Sequence, residues 1–147
     1  MSLENFLEGL NNPNTAAEVA REIANNKQNR GQLTPEFIEQ LTGDAAIILA
    51  MNLRANSGGK DLLARNSELV KSFIANNPRT ANTLAYSLVE TDNGKKLLAN
   101  DEELQRALTK ADGGTARMIK NATAAVGTKV GSVISHTGKS GSVRITN

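Results

Sequence analysis

A side chain does chemistry as a nucleophile, as half of an acid–base pair or as a metal ligand, and this 147-residue chain holds few residues that supply these roles. It has no Cys and a single His, His136. That removes thiol nucleophiles, disulfides, thiolate metal centres and multi-His zinc sets. The one dense carboxylate group is Asp101, Glu102 and Glu103, with Asp92 upstream. Carboxylates that act as acid and base need environments that separate their pKa values, normally in a cleft. Three in a row at the start of a helical pattern instead complement the positive end of a helix, so capping is the expected role. Asp92-Asn93-Gly94 runs into Lys95 and Lys96, which is no calcium loop. Thr137-Gly138-Lys139-Ser140 has the ending of a phosphate-binding loop, but Val133 stands where that motif needs its first Gly. Asn121-Ala122-Thr123 matches a glycosylation acceptor without a secretory context and is set aside. No catalytic residue, metal site or cofactor is expected.

Charge is unevenly distributed. Residues 1–109 carry a net −3 and residues 110–147 a net +5, within an overall +2. The last Leu is Leu108, the last Phe is Phe73, and half of the 12 Gly lie beyond Lys110. These changes place a boundary near residues 111–114, between a packed body (1–111) and a basic tail rich in Gly, Ser and Thr (112–147). Arg117, Lys120, Lys129, Lys139 and Arg144 are the tail's candidate anion-binding residues. No aromatic follows Tyr86, so bases would find nothing to stack on.

The body contains a duplication. Residues 49–74 set against 84–109, a shift of 35, match at ten of 26 positions without a gap, including Leu49/Leu84, Ala50/Ala85, Leu53/Leu88, Gly59/Gly94, Leu63/Leu98 and Leu69/Leu104. Ordinary composition gives roughly two such matches. Upstream, Asn12-Pro13-Asn14-Thr15-Ala16 returns as Asn77-Pro78-Arg79-Thr80-Ala81, which puts Val19, Ala20 and Ile23 in the places of Leu84, Ala85 and Leu88. The units are 12–41, 42–76 and 77–111, the first about five residues short of the others.

The elements that must carry these residues are helices. Ala81, Leu84, Ala85 and Leu88 share one face at helical spacing. Asn12-Pro13, Thr34-Pro35 and Asn77-Pro78 are helix-start signals, because Asn or Thr accepts free amide hydrogens and Pro at the first position forfeits no bond. Ser57-Gly58-Gly59 and Asp92-Asn93-Gly94 offer the positive φ that stops a helix. The 17 Asn fit many short helices with many ends. The spacing predicts roughly ten helices and almost no strand over residues 3–111. The tail predicts a helix over 115–126 ended by Gly127. Beyond it comes either a short hairpin, with Val130, Val133, Ile134, Val143 and Ile145 flanking residues 136–141, or no regular structure.

The expected fold is therefore all-α: an array or compact bundle of three ~35-residue helical units followed by the tail. The period resembles that of tetratricopeptide repeats, but their Trp, Leu-Gly, Tyr, Ala, Phe and Pro pattern is missing. Residues 66–78 resemble the Asn-Pro-punctuated helices of chaperone-adaptor modules, as any chain of Asn-capped helices would. Neither resemblance carries a residue or function over.

On stacked repeats, function resides in exposed positions that vary between copies. One position holds Arg21, Met51 and Tyr86 beside the invariant Ala20, Ala50 and Ala85. The leading expectation is a non-catalytic module that binds another protein through these three residues. The alternative is binding of nucleic acid or an anionic surface through the basic tail, and an enzyme without a recognisable motif comes last. The composition suits a bacterial protein. The N-terminus lacks a basic start and apolar stretch, which points to a cytoplasmic protein or one secreted without a classical signal peptide.

Overall fold

The computed structural model describes residues 2–134, 139–140 and 142–143. The chain is all-α apart from two two-residue strands, Lys139–Ser140 and Ser142–Val143, that pair with each other. In chain order the helices are α1 (Leu3–Asn11), α2 (Ala16–Ala24), α3 (Lys27–Arg30), α4 (Pro35–Glu39), α5 (Gly43–Arg54), α6 (Ser57–Ala64), α7 (Ser67–Asn76), α8 (Ala81–Val89), α9 (Asp92–Asn100), α10 (Glu102–Ala111) and α11 (Thr115–Ile134). No helix among the described residues is long and apolar enough to cross a membrane.

Short polar side chains set the helix starts. Asn26, Asn56 and Asn66 cap α3, α6 and α7 by accepting from the amide three residues on. Thr91 and Asp101 do the same for α9 and α10, 35 residues after Asn56 and Asn66. Each such cap is worth about 1 kcal/mol relative to Ala. Thr34-Pro35 opens α4 directly. Asn77-Pro78 also opens a helix, a 3-10 turn over Pro78–Thr80 that Asn77 caps by accepting from Arg79 N and that runs directly into α8. At Asn12-Pro13 the expectation fails, since Asn12 closes a turn by accepting from Asn14 N and α2 begins three residues beyond the Pro.

The helices pack in three rows. α5 lies between α2 and α8, α6 between α3 and α9, and α7 between α4 and α10. One continuous core results, in which Ala20, Ala50 and Ala85 are fully buried, as are Ile23, Leu53 and Leu88. Leu49 with Leu84, Leu63 with Leu98, and Leu69 with Leu104 are likewise fully buried. α1 covers one end of the rows, against α2 and α5. The other end is covered by α11, which rests on α8, α9 and α10 and buries Thr115, Ile119 and Ala122.

Asn side chains also stitch neighbouring helices together. Asn76 donates to the carbonyls of Ile38 and Leu41 at 3.0 and 2.8 Å, and Asn77 donates to that of Gly43 at 2.9 Å. Asn11 donates to Gln40 O and accepts from Thr42 N, again at the α4–α5 junction. Asn56 donates to Asn25 at 2.8 Å, joining the connection after α5 to the one after α2.

The structure corrects two expectations. The glycines at 58, 59 and 94 do not stop helices with a positive φ; they lie within the first turns of α6 and α9. Gly59 is needed because the start of α6 presses on the end of α5: a Cβ there would sit 2.6 Å from Leu53 Cα. At Gly94 a Cβ would sit 2.7 Å from Leu88 Cα, where α9 presses on α8. The final helix, expected over 115–126, runs to Ile134 and takes in Val130, Val133 and Ile134. Gly127 and Gly131 each weaken a helix by about 1 kcal/mol without removing a hydrogen bond, and no Pro follows Pro78 to break it. His136, Thr137, Gly138, Arg144 and Ile145 lie outside the described residues.

Candidate interaction site

On a helix the residue after a buried one is turned by about 100°, so the neighbours of buried Ala50 and Ala85 are carried outward. Met51 is 55% exposed and Tyr86 40%, and with Leu3 they are the exposed large apolar side chains among the described residues. Arg21, beside buried Ala20 on the adjoining α2, is also exposed and takes part in no ion pair among the described residues.

Three residues that sequence reasoning missed, Arg54, Glu90 and Lys60, join Met51 and Tyr86 into one site. Arg54, one turn after Met51 on α5, places its guanidinium 4.8 Å from the centre of the Tyr86 ring. The same guanidinium donates through Nε and Nη2 to the two carboxylate oxygens of Glu90, at 3.3 and 2.9 Å. Glu90 lies one turn after Tyr86, at the C-cap of α8. Lys60, from the first turn of α6, brings its Nζ to 3.3 Å from Glu90 Oε1. The hydrogen bond from Arg54 is the main cause that holds the Glu90 carboxyl below the usual carboxylate range, with Lys60 adding to it. Glu90 in turn raises the Arg54 pKa. Met51, Arg54, Ala55, Lys60, Thr83 and Glu90 line a shallow recess of about 370 Å³ between the two helices.

The tail candidates do not converge in the same way. Arg117 and Lys120 are exposed on the first half of α11. Lys129 falls in the second half of α11, Lys139 in the first short strand, and Arg144 outside the described residues.

The carboxylate group is used structurally. Asp101 caps α10 through Leu104 N at 3.0 Å and accepts from Ser67 Oγ at 2.5 Å. Lys71 of α7 reaches across to Glu103 at 2.6 Å and Asp101 at 3.3 Å, and contacts Glu68 of its own helix at 3.4 Å. These hydrogen bonds, that from Ser67 first, hold Asp101 below its ordinary range, and Glu103 is the largest cause of the raised Lys71 pKa. Asp101 and Glu103 thus fasten α10 to α7. Among the described residues, no three of His, Cys, Asp and Glu are grouped so as to hold a metal ion. No family model matches the chain, and no curated protein or solved structure is similar to it.

Proposed function

We propose that this chain is a non-catalytic protein-interaction module, built as an array of three helical units, 12–41, 42–76 and 77–111, that binds another protein on the outer face of α2, α5 and α8. One observation carries the reading. Burial leaves few large apolar side chains outside, and two of these, Met51 and Tyr86, occupy the same place in successive units on adjoining helices. An exposed Met and Tyr on adjoining helices, with an Arg stacked on the ring, is the composition of an interface anchor, since Tyr, Met and Arg are enriched at the centres of interfaces. The packing of the three helix rows and the paired burial of Leu53 with Leu88 and Leu63 with Leu98 support the array.

The test is affinity capture from a bacterial lysate with three baits: the whole chain, a Met51→Ser/Tyr86→Ser variant, and a chain truncated before Thr128. The expected result is a partner retained by the whole and truncated chains and lost from the double variant. A partner lost on truncation, kept by the double variant and released steeply by salt would move the binding to the basic tail.

A further inference from the structure

We propose that the partner of the Met51/Tyr86 face is an acidic peptide segment that sets an apolar side chain on Met51 and Tyr86 and a carboxylate on Arg54 and Lys60. The inference rests on the proposed function above and names the chemistry of its ligand.

The argument starts from the charge of the recess. Arg54 and Lys60 converge there on one carboxylate, Glu90, so the site carries one positive charge more than it neutralises. Glu90 occupies Nε and Nη2 of Arg54, while Nη1 makes no hydrogen bond among the described residues. A guanidinium binds carboxylates two nitrogens at a time, and its second edge, Nη1 with the other hydrogen of Nη2, is suited to a second carboxylate. Lys60 has three donors and a single ion-pair partner, Glu90, among the described residues. The two side chains are 38% and 29% exposed, so an incoming group can reach both.

The site is also ordered before a ligand arrives. Stacking on Tyr86 and pairing with Glu90 fix the Arg54 side chain from two sides. Fixing a long side chain in advance lowers the ordering cost of binding. The shape is two adjoining helix edges, Met51 with Arg54 on α5 and Thr83 with Tyr86 on α8 and Glu90 at its C-cap, with a shallow recess between them. Such a groove accepts a segment with apolar anchors on one face. Charge complementarity at the recess selects an acidic segment over a basic one, because Arg54 and Lys60 outnumber Glu90 there.

The experiment selects binders to the whole chain from a phage-displayed library of random peptides, then measures affinities of the recovered peptides by fluorescence anisotropy. Recovered peptides are expected to carry Asp or Glu beside Leu, Phe or Trp, and to lose binding to Met51→Ser/Tyr86→Ser. Arg54→Gln with Lys60→Gln should weaken them at least about tenfold, the scale of one charge-assisted contact. Glu90→Gln keeps an oxygen to accept from Arg54 but removes the negative charge that repels an incoming carboxylate, and should tighten binding several-fold. Thermal midpoints near that of the unaltered chain show that each variant is folded. Peptides that need Met51 and Tyr86 but are neutral or basic, or that bind more weakly to Glu90→Gln and more tightly to Arg54→Gln, overturn the acidic ligand and leave the interaction face standing. Peptides indifferent to Met51→Ser/Tyr86→Ser, or no peptides at all, overturn both.

Discussion

Replacing Gly59 or Gly94 by Ala gives a sharp test of how the helices meet. In an ordinary helix the change from Gly to Ala stabilises by about 1 kcal/mol. Here a methyl at Gly59 would lie 2.6 Å from Leu53 Cα and 2.7 Å from its carbonyl carbon. Ordinary carbon contacts are about 3.5–4.0 Å, so the start of α6 must move roughly 1 Å away from the end of α5. The obstacle is backbone and cannot rotate aside, and the interior on both sides is closely packed. Overpacking costs about 1–3 kcal/mol, and a backbone obstacle puts the cost near 3. After the helix-propensity gain, a net loss of about 2 kcal/mol remains for each variant. For a chain of this size that corresponds to a fall of about 8 °C in the thermal midpoint. Gly113 is the control, because a Cβ there meets nothing within 4 Å, and its Ala variant should stay within about 0.5 kcal/mol of the parent. Urea unfolding followed by helix ellipticity measures all three. If Gly59→Ala and Gly94→Ala prove as stable as the parent or more so, propensity is unopposed and the close approach is wrong. If one is costly and the other harmless, the two junctions are not equivalent, and the array loses its best support.

Leu53→Ala and Leu88→Ala, both at fully buried positions, should each cost about 2–5 kcal/mol in the same assay; losses below about 1 kcal/mol would place that face outside the core. Truncation before Thr128 should leave the unfolding midpoint nearly unchanged, because Thr115, Ile119 and Ala122, which bury α11 on the rows, all precede the cut; loss of helix signal throughout the chain would show that the removed segment holds the fold together. The pH dependence follows from Asp101 and Glu90, whose folded pKa values lie below the ordinary 3.8 and 4.5. The stability they contribute is fully present above those values and is lost as pH falls through the lower folded ones. The urea midpoint should therefore be flat between about pH 5 and 7 and drop below about pH 4, and Asp101→Asn should shallow the drop. An unaltered acid profile in that variant would mean that the contact with Ser67 and Lys71 contributes nothing.

Much of the helical body was legible because apolar spacing and capping residues are local signals. Leu84, Ala85 and Leu88 state their phase within five residues, and Thr34 and Asp101 mark starts that the structure uses as caps, whereas the caps Asn56 and Thr91 stand directly before segments that were read as helix stops. The glycine role was misread because the local chain does not say which property of Gly a position needs. Freedom in φ and absence of a Cβ look the same in sequence, and the answer at Gly59 depends on Leu53, six residues back in a different helix. The length of α11 was misjudged because Gly127 was read as a helix end, whereas a Gly that keeps helical φ only weakens the helix.

The candidate site divides along the same line. Met51 and Tyr86 were found by comparing copies, since a variable position beside an invariant buried Ala must face outward. Arg54, Glu90 and Lys60 were missed because their link joins residues 36 and 30 apart on neighbouring helices, where only the packing sets the distance. A usable signal was present in retrospect: Arg54 follows Met51 by three and Glu90 follows Tyr86 by four, so each lies on the exposed ridge of its own helix. The counterparts of Arg54 and Glu90 at the 35-residue shift are Val89 and Ala55. Neither copy could form the ion pair alone. What the units hold in common, Ala50/Ala85, Leu53/Leu88 and Gly59/Gly94, is consumed in packing them together. What they do not share is gathered at the groove between α5 and α8, and there the chain has a cation stacked on an exposed ring that no single copy would provide.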